Sequence, residues 1–134
     1  MKTYQGSCYC RRVTFEAELD LASPGTYRCN CTSCFKRRWW GVHAKPANFR
    51  LLSGADDLTK LRPAKGPGGV CRHCGVIPFT SGDAAEWNDG DYVSINVAAL
   101  DLGPDRAELE SAPITYLDGL HDTWAPIENP PRYL

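Results

Sequence analysis

The sequence contains no run of about 18 apolar residues, so no segment reads as a membrane-spanning helix. Its opening stretch, MKTYQGSCYC, lacks the apolar core of a secretory leader. The expectation is a cytoplasmic protein whose thiols stay reduced. An excess of charge of one sign is missing as well. Fifteen Lys and Arg face sixteen Asp and Glu, a formal net charge of −1, which makes no global electrostatic case for nucleic acid or an anionic membrane. The densest basic run, Lys36-Arg37-Arg38, leads directly into Trp39 and Trp40. Such a cluster can meet a phosphate or a stacked base, but it is read here as a solvated edge beside two core tryptophans. Neither nucleic acid nor membrane is expected as a partner. No internal repeat, low-complexity tract or long linker divides the chain, so residues 1–134 are read as a single domain.

Extended helical patterning is scarce too. Ten prolines and twelve glycines punctuate the chain and favour short elements joined by turns. Alternating or β-rich stretches recur at Val13–Ala17, Trp39–His43, Asn48–Leu52, Tyr92–Val97 and Ile114–Leu117, bounded by Gly, Pro, Asp or Ser. Only Asp56–Leu61 and Ala98–Leu102 suggest helical turns. The fold class predicted is all-β with short helical turns. Residues 63–69, PAKGPGG, read as a flexible loop, and the proline-containing tail from Pro126 reads as extended chain on the surface.

What the sequence does have is cysteine, seven in all, an odd number that a disulfide framework would not use up. They fall into three groups: Cys8-Tyr9-Cys10, Cys29-Asn30-Cys31-Thr32-Ser33-Cys34, and Cys71-Arg72-His73-Cys74. Gly75 follows the last group, giving C-x-x-C-G, the pattern of a metal knuckle in which a glycine takes positive φ. Cys8 and Cys10 are two apart, and on a strand they would face the same way. Summed with Cys71 and Cys74 they supply four thiolates, enough for a closed tetrahedral zinc site with bonds of about 2.3 Å. Four sulfurs select zinc or an iron–sulfur centre over hard cations.

Cys29, Cys31 and Cys34 remain. Three ligands with a vacant fourth position are the pattern of a catalytic zinc, able to acidify a thiol or polarise a carbonyl. Three thiolates donate heavily to an ion, which favours thiol chemistry over water activation. Spacing leaves alternatives open. His43, His73 or His121 could close either site, or Cys29 and Cys31 could pair with the C-x-x-C group. Lys36 and His43 are candidates for substrate contact, and Asp118, His121 and Asp122 for a general acid or base.

The ordered pattern GSCYC (6–10), VTFE (13–16), CNCTSCFK (29–36) and CRHCG (71–75) closely resembles the glutathione-dependent formaldehyde-activating enzyme (GFA) family, which includes centromere protein V. YVSINVAALD (92–101) and YLDGLHDTW (116–124) look like later segments of that family. The resemblance implies an Mss4-like, β-tent fold. It implies a structural Zn2+ at Cys8, Cys10, Cys71 and Cys74, and a second, labile Zn2+ at Cys29, Cys31 and Cys34 that carries the catalysis. It further implies carbon–sulfur lyase chemistry of the S-(hydroxymethyl)glutathione synthase type, with a small thiol such as glutathione as partner. The chain departs from the family pattern in places. Arg11 stands where a glycine is frequent. Asn30, Thr32 and Phe35 replace residues of C-H-C-S-x-C-R-K, and Phe35 takes the place of a cation able to meet a carboxylate. The competing reading is a zinc-stabilised binding domain without catalysis, with Trp39, Trp40 and Trp124 as its interaction surface.

Overall fold

Alternation along short strands gives this protein two sheets that share one apolar face. A computed structural model describes residues 1–101, 103 and 106–134. The first sheet consists of β1 (Lys2–Ser7), β2 (Thr14–Leu19) and β5 (Phe49–Ser53), in the order β1-β2-β5 and antiparallel throughout. The second has five strands, β3 (Thr26–Cys29), β4 (Gly41–Ala44), β8 (Phe79–Gly82), β9 (Tyr92–Asn96) and β10 (Ile114–Leu117), in the order β10-β3-β4-β9-β8. Only the β10–β3 pair is parallel. A two-residue pair, β6 (Leu58–Thr59) with β7 (Val70–Cys71), carries the knuckle.

Phe15, Ala17 and Leu19 are buried along β2, and Phe79, Val93 and Ile95 are buried along β8 and β9. The sheets meet through Phe15, Phe49 and Phe79, whose ring centroids lie 4.6–5.6 Å apart. Each such ring, removed from water, stabilises the fold by about 1.5–3 kcal/mol. β9 is buried on both sides at its centre. Val93 and Ile95 face the core, and Ser94, also buried, faces the other way. That second face of the five-stranded sheet is where the chemistry of the molecule gathers.

The expected strands appear with shifted ends. Trp39 and Trp40 precede β4, and Val97 leaves β9 for a 3-10 turn at Val97–Ala99, where the Asn96 side chain accepts the Ala98 N–H at 3.0 Å. Leu102, the end of one expected helical turn, lies outside the described residues. The turn expected at Asp56–Leu61 is a 3-10 turn at Ala55–Asp57 followed directly by β6. Two α-helices went unpredicted, α1 (Thr32–Arg37) and α2 (Arg106–Ser111). The 63–69 loop is more tied down than its composition suggests. Gly68 and Gly69 are buried, and the Gly69 N–H reaches the Phe79 carbonyl at 3.0 Å. Among the described residues no helix is long and apolar enough to cross a membrane.

Candidate functional site

Two sulfur clusters form, and they divide the seven cysteines as four and three, with none in a disulfide. Sγ atoms of Cys8, Cys10, Cys71 and Cys74 lie within 4.8 Å of one another. The Cys8–Cys10 and Cys10–Cys71 separations are 3.6 and 3.7 Å. A tetrahedral zinc with bonds of about 2.3 Å requires S···S edges of about 3.8 Å, so the donor set fits that ion.

The local cause differs from the strand argument. β1 ends at Ser7, and Cys8 and Cys10 lie on the turn that follows, closed by the Cys8 N–H to Val13 O at 3.0 Å. Opposite them, Gly75 N–H bonds Cys71 O at 2.8 Å, and Gly75 has φ +82°, as the C-x-x-C-G pattern requires. Cys8 and Cys71 are buried to 2% and 0% exposure. Burial pushes the Cys8 thiol up to about 11. Burial also works to raise Cys74, but N–H groups of Val76 and Cys10 aimed at its sulfur outweigh it and bring that thiol to about 6. Four sulfurs this close cannot all ionise without a cation among them.

The sulfurs of Cys29, Cys31 and Cys34 form the second cluster, also within 4.8 Å. Cys29 ends β3, while Cys31 is the N-cap of α1 and its sulfur accepts the Cys34 N–H at 3.4 Å, so Cys34 comes from the first turn of a helix. The Cys31 N–H in turn points at Cys29 Sγ at 3.4 Å. Burial and the neighbouring Cys31 sulfur push the Cys34 thiol up to about 12. No histidine joins either cluster among the described residues. His73 Nε2 pairs with Asp57 at 2.7 Å, His121 Nδ1 with Asp118 at 2.9 Å, and His43 packs between Tyr27 and Tyr92. Closure by histidine and the mixed cysteine grouping are both set aside by this arrangement.

The loop after β10 covers the triplet. Asn30, between two of the cysteines, donates from Nδ2 to Asp118 Oδ1 at 2.9 Å and accepts the Leu120 N–H on Oδ1 at 2.9 Å. The Asn30 amide holds the Asp118 carboxyl below its ordinary range, with His121 adding to the effect. Gly119 donates its N–H to the Cys29 sulfur. A Cβ at Gly119 would stand 2.6 Å from that sulfur and 2.8 Å from the Trp124 ring, so no larger residue fits.

Beside the triplet lies a cavity of about 540 Å3, which Cys29 and Cys34 line. Its wall is the second face of the five-stranded sheet, with Tyr27 from β3, His43 from β4, and Tyr92 and Ser94 from β9. The Tyr27 hydroxyl accepts from Trp39 Nε1 at 3.1 Å and shares a hydrogen bond with Ser94 Oγ at 2.6 Å. Burial raises its pKa to about 12. His43 opens to the water of the cavity but is walled elsewhere by the two tyrosines. Burial, then Arg62, lowers its pKa.

Of the residues singled out in the sequence, Lys36, Asp118, His121 and Asp122 are absent from the cavity lining, and His43 and Trp124 are in it. Arg62 and Tyr92 line it without having been foreseen as site residues, since no motif marks them, and Arg37 of the basic run, read as a solvated edge, lines it as well. Two residues of the basic run also bond locally. Arg37 bonds Ser33, and Arg38 bonds the Tyr133 carbonyl.

A β protein carrying one buried four-sulfur cluster and one three-sulfur cluster at a cavity defines a narrow class. The family model described as glutathione-dependent formaldehyde-activating enzyme matches residues 3–116, and the chain belongs to that family. A crystal structure of a Rhodobacter sphaeroides protein is similar to it, with 28% identity and a TM-score of 0.62 over 83% of this chain and 99% of that one.

Proposed function

We propose that the protein is a zinc-dependent enzyme of the carbon–sulfur lyase type. On this reading it joins and separates a small thiol and a small aldehyde, with glutathione and formaldehyde as the reference pair that the family description supplies. One observation carries the reading: two residues of the triplet, Cys29 and Cys34, line the 540 Å3 cavity, and none of the quartet does. Cys8, Cys10, Cys71 and Cys74 would hold a structural zinc within a domain spanning residues 1–134. Cys29, Cys31 and Cys34 would hold the reactive one. An ion there supplies acidification of a thiol and polarisation of a carbonyl.

The chain's own groups do the rest. N–H groups of Cys31, Cys34 and Gly119 point at the triplet sulfurs and share their negative charge. His43, whose imidazolium is disfavoured by burial and then by Arg62, accepts the thiol proton as the S–C bond forms. It returns that proton to the aldehyde oxygen, which has gained the carbonyl π pair. The product is a hemithioacetal, and cleavage runs the same steps backwards. Tyr27, whose hydroxyl is engaged by Trp39 and Ser94, keeps its proton and serves as wall. Asn30 and Asp118 anchor the loop that places Gly119 on the cluster.

A panel of thiols and aldehydes followed by NMR for adduct formation and decay tests this, comparing wild type with Cys31→Ser and His43→Gln. Turnover above the uncatalysed rate that disappears in Cys31→Ser supports the enzyme. No Cys31-dependent turnover with any pair leaves the zinc-stabilised binding domain.

A further inference from the structure

The cavity holds a charge pattern that thiol–aldehyde chemistry alone does not call for. Two guanidinium groups, Arg37 and Arg62, line it, and no carboxylate does. Arg62, on the exposed chain between β6 and β7, makes no hydrogen bond or ion pair among the described residues. Arg37 gives one N–H to Ser33 Oγ and, among the described residues, has no acidic partner. Two cations without counter-charges at one opening attract an anion, and a planar guanidinium matches a carboxylate.

The wall between the arginines and the sulfurs is of another kind. Tyr27, His43 and Tyr92 are ring neighbours along it, with centroids 5.0 and 4.6 Å apart, Tyr27 edge-on to His43 and Tyr92 tilted 33° from it. Leu61, Ile77 and Leu117 extend its apolar area. Three of its polar groups are already engaged, because Trp39 Nε1, Tyr27 Oη and Ser94 Oγ bond one another, which leaves the His43 ring nitrogens and the Thr80 hydroxyl as its side-chain partners for a ligand. A peptide backbone laid on this wall would lose water from its amides and find few partners. A flat apolar body loses nothing there and stacks.

We propose that the reacting molecule seated in this cavity is an aryl or conjugated carboxylate. Its ring lies on the Tyr27–His43–Tyr92 wall, its carboxylate meets Arg62 and Arg37, and its thiol or aldehyde end reaches Cys29 and Cys34. The reactive end rests on the lyase reading, whereas the aryl and carboxylate parts rest on the cavity alone.

Calorimetric titration of the zinc-loaded full chain with 2-naphthoate, 2-naphthamide and hexanoate separates the two contributions, since none of these probes carries a thiol or aldehyde. Naphthoate is expected to bind at least about tenfold more tightly than the neutral amide and the non-aromatic acid. Arg62→Met is expected to remove that margin over the amide while leaving naphthamide binding in place. Lys36→Met, an equal charge loss outside the cavity, is expected to leave naphthoate binding within twofold. Equal binding of naphthoate and naphthamide, equal binding of naphthoate and hexanoate, or equal losses in both variants would overturn the proposal. Cys31-dependent turnover of glutathione and formaldehyde by a protein that ignores naphthoate sinks this inference and keeps the lyase. Arg62-dependent naphthoate binding without any Cys31-dependent turnover does the reverse.

Discussion

The two sulfur clusters use one donor atom for opposite ends. The quartet joins chain segments more than sixty residues apart and, among the described residues, lines no large cavity. The triplet is local, spanning Cys29 to Cys34, and two of its residues line the 540 Å3 cavity. An ion in the first cluster is a cross-link, and its binding energy is folding energy. An ion in the second would restrain six residues that β3 and α1 already hold, so its loss costs the fold little. The lesson is that the span of chain a cluster ties together and its place beside a cavity, more than ligand identity, set the two clusters apart.

Substitution of one sulfur in each cluster is the hardest test of that contrast. Cys71→Ser is expected to lower stability by more than about 3 kcal/mol and to leave one zinc per chain, read by thermal unfolding with metal analysis. Cys31→Ser is expected to lose the other zinc while changing stability by less than about 1 kcal/mol. Equal destabilisation by the two would erase the distinction. Gly119→Ala comes next. With a Cβ 2.6 Å from Cys29 Sγ the loop must withdraw, which costs about 1–3 kcal/mol and weakens metal retention at the triplet about 10–100-fold. A chelator competition assay should show the triplet zinc leaving faster than in wild type, with the quartet unchanged.

A pH titration sharpens the cavity side. Burial and Arg62 disfavour the His43 imidazolium, so its folded pKa lies below the unfolded 6.5. The stability linked to this group is therefore present above about pH 6.5 and is lost as pH falls through the folded value. NMR of the ring should give a midpoint below 6.5, moved upward by Arg62→Met. The smallest effect belongs to Arg11, next to the quartet, which sits at φ +65°. Arg11→Gly is expected to stabilise by roughly 0.5–1 kcal/mol in chemical denaturation, as left-handed backbone costs a side chain about that much.

The sulfur partition was legible because C-x-C and C-x-x-C spacings constrain where sulfurs can point whatever surrounds them. Even so, the physical route was misread. Cys8 and Cys10 occupy a turn, where the expectation had been a strand. Helix α1 escaped notice because it is six residues long and its N-cap is a cysteine instead of Ser, Thr, Asp or Asn. The β9 strand was plain from Tyr92 to Asn96, but its buried Ser94 marks a sheet with two covered faces, a property of the assembled molecule. The cavity was beyond reach for the same reason. Tyr27, His43, Arg62 and Tyr92 come from four distant segments, and nothing in any one segment announces the others.

Strand β10 lies parallel to β3 and delivers the loop that touches Cys29. A growing chain thus has every sulfur of the quartet in hand once residue 74 has emerged, and its first cross-link needs nothing further downstream. The amide that steadies Cys29 arrives 45 residues later, with Gly119. Synthesis itself sets a timetable in which the scaffold can be locked before the working face is finished.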